Sequence, residues 1–328
     1  MQLTVLVDNN TLIDRYYLGE PGVAYYLEDG DVRILFDVGY SDIFLRNAQA
    51  LGIDLSRLQQ VVLSHGHNDH TRGLLWLSEQ EYFSELQLLA HPDAFAPKIF
   101  DGENIGVPFT AAQLGDRCEL LLSKAPVVLS ERIIFLGEIP SLNDFEQRHS
   151  FGINDDPADL VLDDTALVYR GEAGLFIITG CSHSGICNII EYAKQVCGEN
   201  RIQGIIGGWH LFKVDDRLEK TIAYLQENNL LEYEQLEKKA AEATERFHVL
   251  SDQIKSTEAA LHANQELNSA TVQYGKTRQS FRSTRPGGTA GNSLRSMKRR
   301  LRKSKMCSWL SCGILRKILT TGNSRGKL

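Results

Sequence analysis

Six residues constrain this chain more than any others: His65-Gly66-His67-Asn68-Asp69-His70. Three of its nine histidines and an aspartate fall in one hexapeptide, directly after the apolar run 60–63. A short apolar run of that kind reads as a buried strand. Alternate residues of an extended segment face the same way, so the imidazoles of His65 and His67 can meet one ion. Asp69 and His70 lie beyond the turn and can serve a second ion beside it. Imidazole with carboxylate suits zinc first, and iron or manganese as well. Two divalent ions about 3.5–4 Å apart can activate a water and hold an oxyanion of a substrate. The fold must therefore bring a strand end, a tight turn and further ligands to one place.

Two more histidines follow apolar runs in the same manner. Gly180-Cys181-Ser182-His183-Ser184-Gly185 comes after the run 175–179, and Gly207-Gly208-Trp209-His210 after 204–206. Strand ends are where α/β proteins gather ligands, and glycines let backbones approach closely. We expect His65, His67 and His183 at one ion, and Asp69, His70 and His210 at the other. Cys181 is either a thiolate ligand or a small buried thiol. Asp37, between Ile34-Leu35-Phe36 and Val38-Gly39, either orients a ligand histidine through its second nitrogen or forms the turn. His91, in Leu89-Ala90-His91-Pro92, either joins the metal site or ends its strand. The acidic stretch 139–164 is long enough for a lid or substrate loop, or is a solvated insertion. From it Glu146 is expected to reach the site as a catalytic group, alongside Asp69. His149, His248 and His262 have no ligand context.

The periodicity predicts strands over 3–8, 23–27, 32–36, 60–63, 86–90, 132–136, 166–169, 175–179 and 204–206. It predicts helices over 41–51, with Ser41 as N-cap, and over 185–196 and 216–228. Hairpins mixed with single helices imply α/β sheets faced by helices, not a purely parallel array. No run reaches the roughly 18–20 apolar residues of a membrane span, and residues 1–10 lack the pattern of a secretory signal. The six cysteines form no C-x-x-C pair, which suits reduced thiols in a cytoplasm.

The net charge of −7 hides a split. Residues 1–230 carry 34 acidic and 16 basic residues, whereas 271–328 carry 15 Lys and Arg and no acid. Ala240, Ala243, Phe247, Leu250, Ile254, Thr257 and Leu261 step by three and four, so an amphipathic heptad helix is expected over 230–279, suited to self-association. A basic, disordered tail is expected over 280–328. The domain reading is thus 1–229, 230–279 and 280–328.

The motifs resemble the metallo-β-lactamase superfamily: Leu35-Phe36-Asp37-Val38-Gly39 looks like its first motif and His65 to His70 like its signature. With Thr71-Arg72-Gly73, Ala90-His91-Pro92, Phe145-Glu146, Asp164-Thr165-Ala166-Leu167 and Gly207-Gly208-Trp209-His210-Leu211, the match is closest to one branch. That branch is named for 7,8-dihydropterin-6-ylmethyl-4-(β-D-ribofuranosyl)aminobenzene 5′-phosphate synthase. The resemblance implies a four-layer αββα sandwich over residues 1–229 and a metal-dependent hydrolase or transferase. It implies a small substrate bearing a phosphoryl or acyl group, since the branch's known reaction joins a pterin pyrophosphate to a ribofuranosyl aminobenzene phosphate. Members of the branch continue into a further strand and a His-Cys-Thr-Gly segment, which this chain lacks. Instead, Leu236 to His248 and Tyr274-Gly275-Lys276-Thr277-Arg278 resemble the helical C-terminal region of relaxase-type mobilisation proteins. That departure implies an alternative: a fusion in which the fold lacks its last elements, the metal site is incomplete and activity is low. A third reading is a nuclease with a nucleic-acid-binding tail. A basic tail alone gives only salt-sensitive affinity, and the acidic first 230 residues oppose it.

Overall fold

The structure, a computed structural model, describes residues 1–11, 15–148 and 159–230. The expected heptad helix and basic tail lie outside the described residues, apart from Leu230, as do His149, His248 and His262. The described residues build two large sheets and a two-stranded ribbon. The first has β1 (Gln2–Val7), β2 (Ala24–Asp29), β3 (Val32–Phe36), β4 (Gln60–Val62), β5 (Gln87–Ala90) and β8 (Glu119–Leu122), in that spatial order. A two-stranded ribbon, β6 (Ile99–Phe100) with β7 (Glu103–Asn104), interrupts the sequence between β5 and β8. The second sheet runs β13 (Ile202–Ile206), β12 (Gly174–Thr179), β11 (Ala166–Gly171), β10 (Ile133–Phe135) and β9 (Val127–Val128). Helices α1 (Ile43–Leu51), α2 (Asn68–Thr71), α3 (Leu74–Leu77), α4 (Ala111–Gly115), α5 (Ile186–Cys197) and α6 (Asp216–Glu227) connect them.

Alternation within the strands explains the layering. Ala24 and Tyr26 of β2, Leu35 of β3, Val61 of β4 and Leu88 and Ala90 of β5 share one core with Phe44 and Ala48 of α1, Leu74 and Leu77 of α3 and Leu114 of α4. Their alternates Tyr25, Leu27, Ile34, Phe36, Val62 and Leu89 point the other way. There they pack on Ile133, Phe135, Leu167, Ile178 and Ile206 of the second sheet. Successive strand residues face opposite sides of a sheet, so one sequence period fills two cores. On the far side of the second sheet, α5 packs on β11 and β12 and carries α6. The order is helices, sheet, sheet, helices: a four-layer αββα sandwich. Each fully buried Leu, Ile or Phe contributes about 1.5–3 kcal/mol. Among the described residues no helix is long and apolar enough to cross a membrane.

The predicted strands and longer helices appear within one or two residues of their expected limits. One cap is corrected. The first helix starts at Ile43 with Asp42 as N-cap. Ser41 instead donates its hydroxyl to Glu20 Oε2 at 2.6 Å, while Glu20 Oε1 accepts the N–H groups of Tyr40 and Ser41. The Ser41 oxygen still accepts Ile43 N–H at 3.4 Å.

The topology sets the site. β3, β4, β5 and β8 run parallel, and so do β12 and β13. Asp37 and His65 follow β3 and β4 in the first sheet, and His183 and His210 follow β12 and β13 in the second. A bond from Thr165 N to Ser64 O (2.9 Å) joins the two sheets at this end.

Candidate metal centre

Asp37 anchors the histidine turn. It is fully buried, at φ +58°. Its Oδ1 accepts Ser64 N–H at 2.7 Å, and its Oδ2 accepts the Ser64 hydroxyl and His70 Nδ1, both at 2.7 Å. Since the Ser64 proton goes to the carboxylate, its oxygen must accept from His65 Nδ1, 2.9 Å away. One carboxylate thus fixes the proton on Nδ1 of both His65 and His70 and leaves both Nε2 atoms as ligands. Of its two readings, Asp37 takes the one that hydrogen-bonds a histidine, and it reaches a second one through Ser64.

His67 is held from the other side. Asp159 Oδ2 lies 3.7 Å from its Nε2. Burial opposes ionisation of Asp159, but the nearby His67 ring and the charge of Lys98 outweigh it and hold the carboxyl at about 2. With Nε2 turned towards this carboxylate, Nδ1 of His67 faces the cluster, 3.1 Å from His65 Nε2. Tetrahedral bonds of 2.0–2.1 Å from nitrogen to one metal would set two such atoms about 3.3 Å apart. A metal ion replacing the proton between these two nitrogens would meet both as ligands.

His65, His67 and His183 each offer one ligand atom, all within 4.8 Å of one another. That is the first expected group. The second differs. His70 gathers with His65 and Cys181, and His210 with Cys181 and His183; the ring centroids of His183 and His210 are 4.2 Å apart. Cys181 therefore joins both groups, where Asp69 had been expected to unite them. The reason lies at Gly180, where an added Cβ would stand 2.0 Å from Ser64 Oγ and 2.8 Å from Asp37 Oδ2. With Gly180 seated on that pair, the next residue is delivered to the His65–His70 side. Asp69 stands at the edge, its Oδ2 3.6 Å from His70 Nε2 and its side chain 34% exposed.

Burial first, then the neighbouring imidazoles, push His65 well below the usual histidine range. Burial, then His210 and His67, do the same to His183. Burial followed by the charge of Arg217 brings His210 to about 4. Neutral imidazoles are the ligand form. Asp37, Ser182 and His210 all have φ between +46° and +58°. Non-glycine residues in that region are costly and cluster at functional sites.

His91 takes the strand-end one of its two readings, gathered with Asp93 and Glu138, and Glu146 lies elsewhere than expected. His91 is fully buried, but its Nδ1 accepts Asp93 N–H at 3.1 Å and its Nε2 meets Glu138 Oε2 at 3.2 Å. Both nitrogens are occupied by its own strand-end turn and by the segment after β10. Glu146 is buried too, and its carboxylate caps α5: Oε1 accepts Cys187 N–H at 3.0 Å, and Oε2 accepts Asn188 N–H and Asn143 Nδ2 at 2.9 Å each. The positive helix N-terminus claims the charge that was expected at the histidines. Glu146→Gln is therefore expected to keep bound metal while lowering stability by about 1.5–3 kcal/mol, the size of charged hydrogen bonds. Urea unfolding beside elemental analysis checks this; loss of metal with unchanged stability would contradict it.

The sequence reading missed Lys98. Its side chain is 1% exposed, with Nζ 2.9 Å from Asp163 Oδ1 and 3.0 Å from Asp159 Oδ2. Burial opposes its charge, but Asp163 and Asp159 raise its pKa above the ordinary value. Asp163 Oδ2 also accepts Gly66 N–H at 2.6 Å, and a Cβ on Gly66 would stand 2.1 Å from Ala94 O and 2.7 Å from Lys98 Cε. Asp164 accepts N–H and hydroxyl bonds from Ser184 beside His183. The acidic stretch is thus partly a buried brace and not wholly a solvated loop. A lone lysine amid Ala96, Pro97, Ile99 and Phe100 was the available signal.

Comparison with known proteins agrees with this geometry. The sequence profile of the Metallo-beta-lactamase superfamily matches residues 18–94. An uncharacterised protein of Methanocaldococcus jannaschii is 32% identical over 228 residues, 68% of this chain and 85% of that protein. The 7,8-dihydropterin-6-methyl-4-(beta-D-ribofuranosyl)-aminobenzene-5'-phosphate synthase of the same organism is 32% identical, over 59% of this chain and 71% of that one. The chain belongs to the metallo-beta-lactamase superfamily. A solved metal-dependent hydrolase of the beta-lactamase superfamily superposes with a TM-score of 0.58 at 30% identity, covering 69% of this chain and 83% of that one. The superfamily's signature run, His65 to His70, occupies the turn between β4 and α3 here.

Proposed function

We propose that the chain is a metal-dependent hydrolase or transferase that holds two divalent ions, zinc foremost, and acts on a small molecule bearing a phosphoryl or acyl group. The reading rests on one observation: His65, His67 and His183 each bring a ring nitrogen within 4.8 Å of the others, with His65 Nε2 and His67 Nδ1 3.1 Å apart. His65, His67 and His183 would hold one ion; Asp69 and His70, with Cys181 and His210, would hold the other. Imidazole with thiolate favours zinc, while the carboxylate leaves iron or manganese open. Such ions, when bound, polarise a substrate oxygen and lower the pKa of water. Asp37, Ser64 and Asp159 fix the ring orientations. Asp69, at the open edge, can take up or return a proton at its carboxylate.

Within the superfamily, the 32% identity to a synthase named for a 5'-phosphate product supports a phosphorylated substrate. No described cysteine is in a disulfide, which supports a reducing cytoplasm. A panel of phosphoesters and of acyl esters and lactones tests the reading, run on as-purified, chelator-treated and zinc-restored protein. Turnover of at least one substrate that stops with chelator and returns with zinc is expected. Turnover indifferent to chelator, or none on any substrate by metal-loaded protein, would overturn it.

A further inference from the structure

Arg72 ends α2, two residues after His70 and three after Asp69. The backbone stays helical through Arg72 and Gly73 into α3. Asp69, Arg72 and Trp76 therefore follow one another by three and four and share one face, with neighbouring Cβ atoms about 5–6 Å apart. Asp69 begins that face at the open edge of the histidine cluster, its Oδ2 3.6 Å from His70 Nε2. The Arg72 guanidinium lies over the Tyr40 ring at 4.5 Å and over the Trp76 ring at 5.2 Å. Its Nη1 donates to Tyr40 O at 3.1 Å. Tyr40 reaches this point from the other arm of the site, three residues after Asp37. Bonds from Val38 N to His70 O (2.9 Å) and from Gly73 N to Gly39 O (3.0 Å) lace that arm to α2. Arg72 is thus tied through two backbones to Asp37 and His70, which bond one another.

Two rings and a carbonyl hold this cation, yet they use only one of its five N–H groups. Stacking on aromatic rings leaves the in-plane donors of a guanidinium free. Among the described residues no carboxylate pairs with Arg72. The two acids that border the stack are engaged elsewhere. Glu20 accepts Tyr40 N–H, Ser41 N–H and the Ser41 hydroxyl, and Asp69 turns to His70. Arg72 is half-buried and Tyr40 is 40% exposed, so a ligand can reach the free donors. Residues 1–230 are net acidic, so bulk charge draws no anion to them. We propose that Arg72, braced by Tyr40 and Trp76, is a subsite on the rim of the cluster that grips a phosphoryl group of the substrate through two in-plane N–H groups. This rests on reading the cluster as the centre where the substrate reacts. The helix face sets the order as cluster, Asp69, Arg72. The gripped phosphoryl group therefore lies beyond Asp69 and is a handle, not the group attacked.

The test uses the full chain as wild type, Arg72→Gln, Arg72→Lys and Trp76→Phe. Metal is counted in each, then removed with chelator. Each protein is titrated with inorganic phosphate and with acetate at constant ionic strength, followed by calorimetry and by tryptophan fluorescence. Phosphate should change the fluorescence of the wild type and not that of W76F, while calorimetry still records binding to W76F. The dissociation constant for phosphate should rise about 10-fold in R72Q, the size of one charged hydrogen bond. R72K should recover only part of this, because a point charge cannot grip two oxygens side by side.

Equal phosphate affinity in wild type and R72Q would overturn the proposal, and so would wild-type affinity in R72K. A response to acetate alone would overturn the phosphoryl assignment. Should R72Q melt far below the wild type, R72K, which keeps the charge, carries the comparison. The metal count separates the two readings. Arg72-dependent phosphate binding supports the subsite even where no metal was found. Full metal content with no Arg72 dependence removes the subsite and leaves the metal reading standing.

Discussion

Replacing Asp37 by Asn leaves a folded protein whose affinity for metal falls about 10- to 100-fold, the range seen when a hydrogen-bond partner of a ligand histidine is lost. Asn tolerates the left-handed backbone at this position better than other residues, so the turn survives. Its amide presents two hydrogens and one oxygen to three donors: Ser64 N–H, the Ser64 hydroxyl and His70 Nδ1. At least one donor must turn away or move its proton. If His70 shifts its proton to Nε2, it ceases to be a ligand there. If the Ser64 hydroxyl rotates, His65 loses the acceptor that sets its tautomer. Competition for zinc against a chromophoric chelator measures the change. Wild-type affinity in D37N would show that the Asp37–Ser64–His65 relay does not set ligand form. Asp37→Ala is expected to be harsher, since it leaves buried groups with no partner at all.

The second large effect is on folding. Lys98→Met is expected to lower stability by about 3–5 kcal/mol, because removing one partner of a buried pair strands the other. Asp163 would be left 1% exposed and charged, still bound to Gly66 N–H. The double variant Lys98→Met, Asp163→Asn should recover part of the loss, since two apolar or neutral groups cost less than one orphaned charge. Urea unfolding of the four proteins in the cycle gives the coupling. Additive losses would mean that the pair does not act as a unit.

Legibility followed the range of the interactions. His65, His67, Asp69 and His70 could be read because their chemistry is packed into six neighbouring residues. The strands could be read from their apolar runs, but the two cores that β2 to β5 fill were implied only by the family resemblance. Asp37 could be read as a histidine partner or a turn former, and only the bond to His70 chose between them. Glu146 failed for the opposite reason. Its partners, Cys187 N–H and Asn188 N–H, lie 41 and 42 residues away, and nothing local says that a helix start will face it. Lys98 pairs across 61 and 65 residues, and so looked like one more surface lysine. Cys181 was weighed as a ligand or a buried thiol. Its position near two histidine groups became visible only through the seating of Gly180 on Ser64. The short helices α2 and α3 escaped because four residues carry too little periodicity to register.

The central claim is that the histidine cluster is a metal centre of two ions. Elemental analysis of the purified full chain, beside the double variant His67→Ala, Asp69→Ala, tests it most directly. Close to two tightly held ions per chain, lost in the double variant, is the predicted result. Less than one ion per chain in the well-folded wild type, or equal metal in both proteins, would contradict it.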